Sequence, residues 1–125
     1  MDDKVNSFVK TINKQREICK NYGAIFCLSD VNSIVGISLD VKDAKILPIN
    51  GLRYHPEGKT TGWYIWAGSE PLSKDDDYFK PLHIKHLFEW CPEVISYLGL
   101  PPGWRFLLAP DYVDVWFDQN IFDMV

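Results

Sequence analysis

At 125 residues the chain has the size of one domain, 1–125, able to bury roughly two thirds of its unfolded surface. Its 46% hydrophobic and 24% charged residues exclude general disorder, and no apolar run approaches the ~20 residues of a membrane-spanning helix. The net charge of -4 is uneven: residues 1–69 hold nine Lys/Arg and seven Asp/Glu, whereas residues 70–125 hold four and ten. An acidic C-terminal half argues against nucleic acid as a ligand, because phosphate contacts need clustered Lys/Arg; it suits a basic protein.

Residues 3–22 place Val5, Phe8, Val9, Ile12 and Cys19 at three- and four-residue steps, which predicts an amphipathic helix capped by Asp2 or Asp3 and ended by Gly23. Ala24 to Leu28 and Ser33 to Leu39 read as strands joined by the turn Asp30-Val31-Asn32. Lys45-Ile46-Leu47 is a candidate short strand before the interruptions at Pro48 and Gly51. Residues 53–61 read as a loop. Gly62-Trp63-Tyr64-Ile65-Trp66-Ala67-Gly68 is a strand apolar at both parities, so both faces are buried or one is held ready for a partner.

Ser69 to Lys80, with Asp75, Asp76 and Asp77, predicts a surface loop. Residues 82–90 have helical spacing, and Cys91-Pro92 breaks that helix and starts a second one running to about Leu98. Pro101-Pro102-Gly103 makes a stiff corner before strands at 104–109 and 112–118, whose separation by Pro110-Asp111 predicts a hairpin. The expected fold class is α+β: an N-terminal helix, a mostly antiparallel sheet, and a helical pair inserted before a C-terminal β-hairpin.

Chemistry-bearing patterns are sparse. Cys19, Cys27 and Cys91 are odd in number and unpaired in spacing, which predicts free thiols in a reducing compartment. The opening residues lack the basic start and apolar stretch of a signal peptide, so the expected location is cytoplasmic. His83 and His86, with Glu89 continuing the row, form the best metal-like set; without a further ligand at zinc-site spacing they read as a polar helix face. No Gly-rich phosphate loop is present, and no cofactor is expected. Binding has more support: Trp66 lies close in sequence to Glu70, and Tyr112 and Trp116 to Asp111, Asp114 and Asp118, and aromatics ringed by charge carry much interface energy. Asp75, Asp76 and Asp77 would steer the same basic partner.

Cys27-Leu28-Ser29-Asp30, the Gly62 to Gly68 segment, the acidic loop, Pro92-Glu93-Val94-Ile95 and Leu98-Gly99-Leu100-Pro101-Pro102-Gly103 together resemble the immunity protein family 33-like domain of bacterial polymorphic toxin systems. The resemblance covers about residues 24–118. It implies a non-enzymatic protein that binds and neutralises a cognate toxin, with no catalytic residues to carry over and with specificity held in loops. The helix at 3–22 and the stretch 40–61 depart from shorter members. The alternatives are a small metal-dependent hydrolase using His83 and His86, and a scaffold module without a toxin.

Overall fold

A computed structural model describes residues 3–42, 47–68 and 78–123, with side chains from Val9 onward. The order of elements is α1 (Asp3–Tyr22), β1 (Ile34–Ile37), a 3-10 turn (Leu39–Val41), β2 (Ile49–Arg53), β3 (Thr60–Ala67), β4 (Lys80–His83) and α2 (Ile84–Trp90). A 3-10 helix (Pro92–Tyr97), β5 (Trp104–Ala109), β6 (Tyr112–Phe117) and α3 (Gln119–Phe122) follow. The α+β class is as expected.

The six strands form one sheet in the order β4-β1-β3-β2-β5-β6. Only β1 and β3 run parallel; every other neighbouring pair is antiparallel. Strand side chains alternate between faces, and the hydrophobic core takes one parity, although Asn50 and Trp66 of the other parity are buried too. Val35, Ile37, Ile49, Trp63, Ile65, Ala67, Phe106, Leu108 and Val115 point to one face and pack there with Cys19, Leu87, Val94, Leu98 and Leu100. The core therefore lies between the sheet and the layer made by α1, α2 and the 3-10 helix.

The N-terminal helix ends where expected. Gly23 is left-handed (φ 74°); its N–H reaches the Lys20 carbonyl and that of Ala24 the Cys19 carbonyl, closing the last turn. Of the stripe read in the sequence Cys19 is buried as expected, but Val9 is exposed and the polar Gln15 is buried in addition.

Four expectations need correction. Ala24 to Leu28 is not a strand but an irregular connection, held because the Cys27 N–H donates to Gly99 O at 2.8 Å. The strand between β1 and β3 is Ile49–Arg53, in a stretch whose proline and glycine suggested interruption. Gly51 is required there because the Phe106 ring lies where a Cβ would stand. Of the candidate strand 45–47, Lys45 and Ile46 lie outside the described residues. Lys80–His83 adds a strand at the sheet edge, so the helix begins at Ile84 rather than 82, and its successor is 3-10 rather than α.

Candidate partner interface

The motif residues converge on three consecutive carbonyls. Leu98 O accepts from Ser29 Oγ at 2.7 Å and from Trp63 Nε1 at 3.1 Å. Gly99 O accepts from the Cys27 amide at 2.8 Å and the Cys19 thiol at 3.3 Å. Leu100 O accepts from Arg53 Nη1 at 2.8 Å. Arg53 is 1% exposed; it also donates to Thr61 O and Cys27 O, and burial lowers its pKa from the ordinary arginine value. A buried guanidinium satisfied by carbonyl dipoles is a fastener for irregular backbone. Ser29, Trp63 and the 98–103 corner are thus structural, and sequence inspection had no signal for Arg53, which sits in a stretch read as loop.

Two of the three thiols, Cys91 and Cys19, are held in their protonated form. Cys91 donates to Glu93 Oε2 at 2.9 Å, and burial, with that hydrogen bond second, pushes its pKa up to about 12. Burial, then the neighbouring Cys27, raises Cys19. A thiol with a raised pKa supplies little thiolate near neutrality.

The histidines lie at the β4 end of the sheet. His83 is the last residue of β4 and precedes the first turn of α2 with extended backbone, so the two rings do not share a helix face; their centroids are 6.3 Å apart and approach edge to face. Both histidines and Glu89 are exposed. Among the described residues no three His, Cys, Asp or Glu side chains cluster as a metal site.

The other face of the sheet is different. Cross-strand registry aligns Tyr64 with Leu52, Leu52 with Arg105, and Arg105 with Trp116, a row across four strands spanning about 14 Å at the usual strand spacing. Tyr64 is 37% exposed, and Leu52, Arg105 and Trp116 are half-buried. Next to it runs a second row, Trp66, Asn50, Leu107 and Asp114. Among the described residues no helix covers these rows. Phe79 packs edge to face on Tyr64 and Trp66, covering the β3 side, while among the described residues Leu52, Arg105, Leu107, Asp114 and Trp116 stay half-buried.

This arrangement brings four of the sequence-predicted residues, Trp66, Tyr112, Asp114 and Trp116, onto one face. Trp116 lies under the Arg105 guanidinium at 5.2 Å, a cation-π contact that holds the indole flat. Tyr112 is on the same side at the start of β6, 58% exposed, and Asp111 is exposed in the turn. Trp66, by contrast, is only 1% exposed, so its indole is not presented at the surface. The Asp118 carboxylate is engaged internally, accepting from the Asn120 amide at 3.0 Å and pairing with Arg105 at 3.3 Å. Asp75, Asp76 and Asp77 lie outside the described residues. Sequence reasoning missed Tyr64, Leu52 and Arg105 as surface residues; only strand registry reveals that they align.

The fold and face define an α+β protein whose sheet is packed on one side and displays an aromatic, mixed-charge row on the other. The chain belongs to the Imm33-like domain family, whose model matches residues 14–118. No curated protein and no solved structure matches the chain. The family name denotes an immunity protein, and the match spans the carbonyl hub and the displayed rows alike. No described helix is long and apolar enough to cross a membrane.

Proposed function

We propose that the protein is a bacterial immunity protein that neutralises a cognate protein toxin by stoichiometric binding, without catalysis, in the cytoplasm. The observation that carries this reading is the row Tyr64, Leu52, Arg105 and Trp116 on a sheet face without a helix among the described residues. Two aromatics and an arginine are the residue types that dominate binding energy when a partner excludes water around them. Asp111 and Asp114 at the β6 side supply negative charge, which favours a basic toxin and speeds its approach. The family membership supports the same class of function.

The test is co-expression with the product of the adjacent toxin-like gene. A 1:1 complex and restored growth are expected, and Trp116→Ala with Tyr64→Ala should abolish both while leaving the melting curve cooperative. Full protection by that folded double variant would move the interface to another surface.

A further inference from the structure

The two edges of the sheet are not alike. At β4 the Ile84 amide donates to Ser33 O, which sets the phase of the β1-β4 ladder so that His83 and Pro81 turn their backbone groups outward. Pro81 has no amide to offer, Lys80 adds charge, and the strand is four residues long; short length, proline and lysine are how natural sheets guard an edge. Strand β6 carries neither proline nor lysine. Among the described residues β6 pairs only with β5, and it runs six residues, Tyr112-Val113-Asp114-Val115-Trp116-Phe117, five of them β-branched or aromatic.

The outward groups of β6 can be identified. The Asp118 amide donates to Gly103 O at 2.7 Å, so residues 118, 116, 114 and 112 face β5, as expected when a two-residue turn joins Ala109 to Tyr112. Val113, Val115 and Phe117 therefore turn their N–H and C=O groups to the outer edge, where no strand pairs among the described residues. On the helix-side face the side chains of Val113 and Phe117 are 47% and 40% exposed.

We infer that β6 is a homodimerisation edge, pairing antiparallel with β6 of a second copy about a two-fold axis normal to the sheet at Val115. That register bonds Val115 to its own counterpart and Val113 to the second copy's Phe117, using all three outward residues of each strand. It sets Asp114 opposite the second copy's Trp116, and Tyr112 opposite the second copy's Asp118. Charge selects this register over its neighbours. An axis at Asp114 puts two aspartates directly opposite, and one at Trp116 puts Asp114 opposite Asp118; like charges in opposed positions destabilise a ladder. The exposed Val113 and Phe117 then cover one another on the helix-side face, and two sheets become one of twelve strands with both displayed rows on the same side.

Sedimentation equilibrium from micromolar to millimolar protein should show the mass rising from 14.5 kDa toward twice that value. Val113→Pro removes an outward amide without touching the β5 ladder, and it should hold the chain at the lower mass with a near-unchanged melting curve. The register has its own check. Asp114→Cys mixed with Trp116→Cys should form a disulfide-linked dimer under mild oxidation, because directly opposed Cα atoms lie within bridging distance; either variant alone should not, since diagonal positions are about 7–8 Å apart. A wild-type chain that stays at 14.5 kDa throughout overturns the inference. So does a cross-link pattern that ignores the pairing. Loss of toxin binding by a monomeric Val113→Pro variant, with wild type also monomeric, would assign the edge to a strand of the toxin instead and equally overturns it.

Discussion

At the scale of single residues, the carbonyl of Leu98 is the clearest case of shared duty. Because it accepts from both Ser29 and Trp63, either donor can be lost while the oxygen stays satisfied. Ser29→Ala and Trp63→Phe should each cost about 1–2 kcal/mol, and the pair should exceed the sum by roughly 1 kcal/mol, since only then is a buried acceptor orphaned. Urea titration of the four proteins tests this; strict additivity would mean that water enters the site. Arg53→Met should cost upwards of ~3 kcal/mol by orphaning three carbonyls together. The thiols give a pH signature. Cys91 and Cys19 have folded pKa values above the ordinary thiol value, so their contribution is intact below about pH 9 and is lost as pH rises, for Cys91 toward about 12. Stability should fall across that window, and less steeply in Cys91→Ala. An unchanged slope would remove Cys91 as its source.

At the scale of elements, what the sequence disclosed and what it hid have physical reasons. The helix from Asp3 to Tyr22 and the hairpin strands β5 and β6 are local structures, specified by periodicity and by their own terminal residues. Strand β2 was hidden because its glycine and its neighbouring proline are turn formers; Gly51 is there to admit the Phe106 ring from the next strand, a non-local demand. Strand β4 was hidden because its four residues merge into α2 without a break. The displayed face was half legible: Asp114 and Trp116 were recognisable from composition, but Leu52 and Arg105 join Trp116 in one row only through registry. For the hairpin, Asp111→Lys should slow association with the toxin and reduce its salt dependence, while Trp116→Ala should accelerate dissociation by about 30-fold, near 2 kcal/mol. Asp118→Ala should instead lower stability by about 1 kcal/mol through loss of its cap, with little effect on association. Stopped-flow kinetics at two salt concentrations separates these outcomes; equal effects from all three would remove the distinction between rim, centre and cap.

For the whole molecule, the sheet divides the chain's tasks. One face holds the helices through apolar packing, and the hub at Leu98 to Leu100 ties the N-terminal third to the chain beyond residue 97. The other face is the one that the proposed function assigns to the toxin. This division lets residues of that face change without disturbing the core. The hub has a temporal consequence as well. Its bonds from Cys19 and Ser29 join residues 80 and 69 positions apart, the Gln15 side-chain amide beside it donates to Ile95 O across 80 positions, and long loops close only after their entropic cost has been met. Such contacts mature after the β5-β6 hairpin, which closes over two residues, and after the antiparallel β2-β3 pair. Substitutions at Gln15 and Ser29 should therefore leave the refolding rate nearly unchanged and accelerate unfolding, measurable from the two arms of a denaturant chevron. The hub then acts as a latch on an already assembled sheet: it sets how long the protein lasts once made, and the hairpin sets how soon it forms.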